Sequence, residues 1–91
     1  MMHNEVINNA QHVLRPRGAE YGSPRSNHKR IAIMASIMLN REVTDFDVAI
    51  ILMCVKLSRV AQSAKSIDSY IDLINYTAFA AEFATEQDID D

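Results

Sequence analysis

Every strong helix breaker in this chain falls in one twelve-residue stretch. Both glycines and both prolines lie between Arg15 and Ser26, in R-P-R-G-A-E-Y-G-S-P-R-S. The remainder carries apolar residues at helical spacing and no strand alternation, which restricts the chain to an all-α fold. Val6, Ile7, Ala10, Val13 and Leu14 form the stripe of a first amphipathic helix. Ser23 followed by Pro24 reads as a cap with proline at the first helical position, so a second helix runs to Leu39, and Asn40 ends it in a left-handed conformation. Its expected inward residues are Ile31, Met34, Ile37 and Met38.

Thr44 with Asp47 three residues on resembles a capping box and opens a third helix, Asp45 to about Gln62. The first half of that helix is apolar on all sides, which puts it at the centre of the fold with Cys54 as a small core residue. Ser66 caps a fourth helix, and Asp68 complements its dipole. Ile67, Ile71, Ile74, Ala78 and Ala81 are expected to face inward. The expectation is a compact bundle of four helices with a central antiparallel hairpin formed by the third and fourth. Residues 1–91 make a single all-helical domain, with 85–91 a frayed acidic tail. The segment Arg15–Ser26 reads as a long connection, beyond the ~2–8 residues usual in a bundle.

Composition narrows the function classes. The net charge of −3 argues against a duplex nucleic acid partner. The longest apolar run, Val48 to Val55, is far short of the ~20 residues a membrane span requires. No secretory signal is visible, so the expected location is cytoplasmic. One cysteine excludes a disulfide framework, and the three histidines lack zinc-ligand spacing. There is no nucleophile elbow, P-loop or dinucleotide-binding glycine pattern.

Charge is divided along the chain. Five of the nine basic residues, Arg15, Arg17, Arg25, Lys29 and Arg30, lie in the first thirty, whereas residues 66–91 hold seven acids and no base. A basic front can gather a small anion. Asn27 and His28 follow the breaker segment at the start of the second helix, where free backbone N–H groups suit a phosphate. In a hairpin turning near Ala64, Lys56 comes level with Asp72 and Arg59 with Asp68 or Ser69. Two cations then face two carboxylates, with Asn75 and Tyr76 beside them. As interhelical salt bridges they would only fix register; next to the basic loop they are also candidate ligand groups. Asp45 and Asp47 start the third helix at the opposite end of the hairpin, ~25 Å away at 1.5 Å per residue, and serve capping and dipole.

Four segments carry a family resemblance: R-G-A-E-Y-G (Arg17–Gly22), N-H-K-R-I-A (Asn27–Ala32), V-K-L-S-R (Val55–Arg59) and D-S-Y-I-D-L-I-N-Y (Asp68–Tyr76). In this order and spacing, over residues 5 to 84, the chain resembles a small phage- and prophage-borne domain family of unknown function. The Y-G, K-x-x-R and D-x-x-x-D-x-x-N-Y pieces are also similar to proteins near the all-α, MazG-like nucleotide pyrophosphohydrolases. That resemblance implies a helical, oligomeric protein that handles a nucleotide. Enzymes of that superfamily hold Mg²⁺ through an E-x-x-E motif on one helix and an E-x-x-D motif on the next. Here Lys56 and Arg59 stand where carboxylates would be wanted, and only Asp68 and Asp72 remain as Mg²⁺ ligands.

The leading expectation is a phage-type nucleotide-binding protein. Arg17, Arg25, Asn27 and His28 would take phosphate, with Lys56 and Arg59 as further phosphate contacts or partners of the aspartates. Tyr21 or Tyr76 would stack on a base and Asn75 would read its edge. Alternatives are a Mg²⁺-dependent nucleoside triphosphate pyrophosphohydrolase, and a non-catalytic anti-defence or host-takeover protein that sequesters a nucleotide signal or binds a protein. A homo-oligomer is expected, because apolar residues on the second, third and fourth helices, including Tyr70, Leu73, Phe79 and Phe83, exceed one stripe.

Overall fold

Four helices follow one another in the computed structural model: α1 (His3–Tyr21), α2 (Pro24–Leu39), α3 (Asp45–Gln62) and α4 (Ile67–Ile89). The structure describes residues 1–21 and 23–89, with side chains at 1–14 and 23–86. All described residues outside these helices lie in turns or irregular segments, so the fold is an all-α bundle.

Local chemistry explains each start and stop. Ser23, extended at φ −69° and ψ 146°, accepts the Ser26 N–H on its hydroxyl at 3.1 Å, and Pro24 fills the first helical position. Asn40 at φ 54° ends α2, and the Arg41 N–H reaches back to the Ser36 carbonyl at 3.2 Å, closing the orphan carbonyls in Schellman fashion. The Ser36 hydroxyl donates to the Ala32 carbonyl and accepts the Val43 N–H at 2.9 Å, which clamps the turn into α3. At the α3 start both halves of the capping box form: Asp47 N–H to Thr44 Oγ1 at 3.1 Å and Thr44 N–H to Asp47 Oδ2 at 3.0 Å. Across residues 63–66, Tyr70 donates its hydroxyl proton to the Ala64 carbonyl at 2.8 Å, and the Ser66 and Ser69 hydroxyls meet at 2.9 Å.

Helices α3 and α4 form the expected antiparallel hairpin, with α1 packed mainly on α4 and α2 on α3. Fully buried Ala49 lies in a cluster with Ala80 and Phe83, against which Phe46, Met53 and Phe79 pack. Two alanines at this contact let the helix backbones approach closely, and the phenylalanines fill the space beside them. Ala10 is the buried anchor of α1 on α4.

Three expectations are corrected. First, α1 continues through Arg15–Tyr21, so most of the expected long connection is helix. Proline and glycine impose penalties of ~3 and ~1 kcal/mol inside a helix. Tertiary context can meet such penalties, so they are not prohibitions. Second, the buried stripe of α2 is His28 and Ala32, while Met34, Ile37 and Met38 are exposed and Ile31 is half-buried. On α3 the first half is not enclosed: Ile50, Ile51 and Cys54 face outward. Third, the inward face of α4 is rotated from the expected one. Ile71 is buried, but Ala78 and Ala81 are exposed and Phe83 is 2% exposed. In each case the apolar residues outnumber the places in a small core, so periodicity alone did not decide which face wins. The α4 helix runs on to Ile89, through most of the segment expected to fray.

Candidate functional site

Of the residues singled out from sequence, Arg25, His28, Lys56, Asp72 and Tyr76 meet along one ladder on α4. At three- and four-residue steps, Asp72, Tyr76, Phe79, Phe83 and Glu86 share a face. From α3, Lys56 reaches Asp72 with Nζ 3.0 Å from Oδ2, and the two side chains are only 16% and 10% exposed. This is the pairing expected from hairpin register. At the other end of the ladder, Arg25 from the start of α2 pairs with Glu86, and its guanidinium carbon sits 5.4 Å from the Phe83 ring centre.

Between these two ion pairs lies His28. It is 1% exposed and is the largest fully buried side chain among the described residues. Its ring contacts three aromatic neighbours edge-on, with centroids 6.2 Å from Tyr76, 5.6 Å from Phe79 and 5.3 Å from Phe83. Nδ1 lies 2.7 Å from the Pro24 carbonyl oxygen. A carbonyl can only accept, so Nδ1 carries the proton and a neutral ring leaves Nε2 as an acceptor. That Nε2 is buried without a hydrogen-bond partner. A short-range α2 contact thus fixes the tautomer and leaves the second ring nitrogen without a partner in an aromatic environment.

The other candidates are distributed differently. Asn75 is buried, and its Nδ2 donates to the Ala10 carbonyl at 3.0 Å, holding α1 on α4. Asn27 is half-buried on the first turn of α2. Arg59 and Asp68 are exposed, and no ion pair joins them; Ser69 is turned to Ser66 instead. The side chains of Arg17 and Tyr21 lie outside the described residues. Among the described residues no three His, Cys, Asp or Glu side chains gather into a metal-holding group. Asp68 and Asp72 are one turn apart on α4, but Asp72 already faces an ammonium, so this donor set does not fit Mg²⁺ on its own.

Phe79, Phe83 and Glu86 were missing from the sequence-based site. The signal was the continuation of the Asp72–Tyr76 line at the same spacing, opposite the basic start of α2. Spacing puts Phe79 on that line, but Phe79 and Phe83 both count among the apolar residues left over once the expected core face is filled, so the line stops short of Phe83 and Glu86.

Comparison with known proteins adds the family. Residues 5–84 match the model described as "Domain of unknown function (DUF6378)". The chain belongs to this family. It is also 34% identical over 76 residues to the "Gene 55 protein" of Mycobacterium phage D29, a match that covers 82% of this chain and 50% of that protein. The chain therefore spans about half the length of its phage relative. No solved structure matches. The DUF6378 match and the phage relative agree with the expected phage-type domain. Among the described residues no helix is long and apolar enough to cross a membrane.

Proposed function

We propose that this DUF6378 domain binds a nucleotide or nucleotide-derived anion along the α4 ladder and works as a homo-oligomer. The observation that carries the reading is the buried, unpartnered Nε2 of His28 among three aromatic rings, with a cation–carboxylate pair on either side. The half-buried rings of Tyr76 and Phe79 suit a nucleobase, and the enclosed imidazole acceptor would meet a base N–H or exocyclic amine once a ligand parts those rings. Asp72 and Glu86 lie ~21 Å apart along α4 at 1.5 Å per residue, so phosphate oxygens would compete with one of them for its cation, Lys56 or Arg25. Arg17, Tyr21, Asn27 and Arg59 remain further candidates for phosphate and base contacts. The likeness of the Y-G, K-x-x-R and D-x-x-x-D-x-x-N-Y pieces to MazG-like proteins supports the same ligand class.

Binding without hydrolysis is the favoured form, as in sequestration of a nucleotide signal. Lys56 engages one of the two aspartates that a Mg²⁺-dependent pyrophosphohydrolase would need, and the other, Asp68, is exposed.

Calorimetry against nucleoside mono- and triphosphates and cyclic dinucleotides, with and without Mg²⁺, tests the reading. Binding by at least one of them is expected. Loss of the acceptor in His28→Phe is expected to weaken that binding by about two- to tenfold, the ~0.5–1.5 kcal/mol of a hydrogen bond between neutral groups, while the fold persists. Absence of heat from the whole panel would refute the proposal. Unchanged ligand recovered from the complex supports sequestration, and Mg²⁺-dependent pyrophosphate release would replace it with the enzyme.

A further inference from the structure

The outer face of α2 is apolar and uncovered. Ile33, Met34, Ile37 and Met38 are 62%, 57%, 74% and 86% exposed. Ile33 and Ile37 also line an apolar groove of about 460 Å³ that runs past Ala32 to Val43, with Lys29 at one end and Asp45 at the other. These four side chains together expose on the order of 550 Å², at the top of the ~300–600 Å² of the largest patch on a typical monomer, and the groove beside them extends the face toward the ~800 Å² that each partner contributes to a standard interface.

Charge along this face identifies the occupant. At the α2 start the exposed Lys29 and Arg30 carry the charge of this face, Arg25 being turned to Glu86 and Phe83, while the far end, residues 41–47, carries Glu42, Asp45 and Asp47 against Arg41. A face that is basic at one end and acidic at the other complements its own copy when the two run antiparallel. A parallel arrangement would set like charges against each other.

We propose that α2 of one chain packs antiparallel on α2 of a second copy about a two-fold axis level with residues 35–36, in the C-terminal half of the helix. Met34 and Met38 enter the partner's groove beside its Ile33 and Ile37. Lys29 and Arg30 lie over the partner's Glu42 and Asp45. Methionine suits this role because its unbranched side chain fills an irregular groove. The contact is isologous, so each interaction occurs twice and a single substitution is felt twice. It uses none of the α4 ladder and stands whether or not a nucleotide binds there.

Sedimentation equilibrium on the whole chain at micromolar concentration is the test. A species at twice 10.3 kDa is expected. Ile37→Glu, at an exposed position, is expected to give monomer with unchanged helical circular dichroism. Arg30→Glu alone is expected to weaken association by about tenfold, and Arg30→Glu combined with Glu42→Arg to restore it, since rim charges act through complementarity. A wild-type monomer throughout this range overturns the proposal, including the case in which α2 serves the additional chain present in longer relatives. An Ile37→Glu variant that stays dimeric overturns it, and so does a charge exchange that fails to restore association.

Discussion

Alanine in place of Phe83 is expected to lower the unfolding free energy by about 3–5 kcal/mol, the range for large-to-small changes at a buried phenylalanine. The ring is 2% exposed and belongs to the Ala49–Ala80 cluster at the α3–α4 contact. It also stacks on Phe79 with centroids 6.5 Å apart, meets the His28 ring, and lies under the Arg25 guanidinium. Removal therefore opens a cavity and withdraws support from the candidate site together. Small domains retain only ~5–15 kcal/mol in total, so the variant should be close to its limit. Urea unfolding followed by far-ultraviolet circular dichroism measures the change. Phe83→Leu should recover most of the loss because it restores volume, whereas a cost below ~1 kcal/mol for Phe83→Ala would contradict the placement of the ring in the core.

Asp72→Ala is the second large effect. Truncating one member of a buried ion pair costs ~3–5 kcal/mol because the other charge is left enclosed, and residual water access to Lys56 should bring the figure here to about 2–4 kcal/mol. Asp68→Ala, one turn earlier and exposed, should leave stability nearly unchanged. Thermal unfolding of the two variants side by side distinguishes them. Equal effects would mean that Lys56 has no specific need of Asp72. Asp72 thus has a structural role in holding Lys56 before any role toward a ligand.

These residues also show what was legible in the sequence. Ser23, Asn40, Thr44 and Asp47 announced three helix boundaries because capping is a short-range reaction between a side chain and a backbone group within a few residues. The Lys56–Asp72 pair followed from a short turn and a fixed rise per residue. Which face of each helix is buried did not follow. On α2 and α3 apolar residues occupy both the core side and the outside, so no polar stripe marks solvent, and Ile37 and Met38 looked as suitable for the interior as Ala32. On α4 the choice turned on bulk. Two alanines could not fill the space that Phe79 and Phe83 fill, and volume across a helix contact is invisible to spacing. His28 was noticed for its place near the chain's bases, but its enclosure depended on those same phenylalanines.

The unpaired Nε2 has a consequence for how such a chain changes under selection. Enclosing an acceptor with no donor costs ~1–3 kcal/mol, a large fraction of what a domain of this size possesses. Phenylalanine or leucine in the same aromatic surroundings would escape that cost. A laboratory lineage selected for heat tolerance alone is therefore expected to lose the imidazole at position 28 early. A parallel lineage required also to retain its ligand should keep it and accumulate its stabilising changes elsewhere, on the outer faces of α2 and α3. The divergence of the two lineages at this one position would record what the histidine is for.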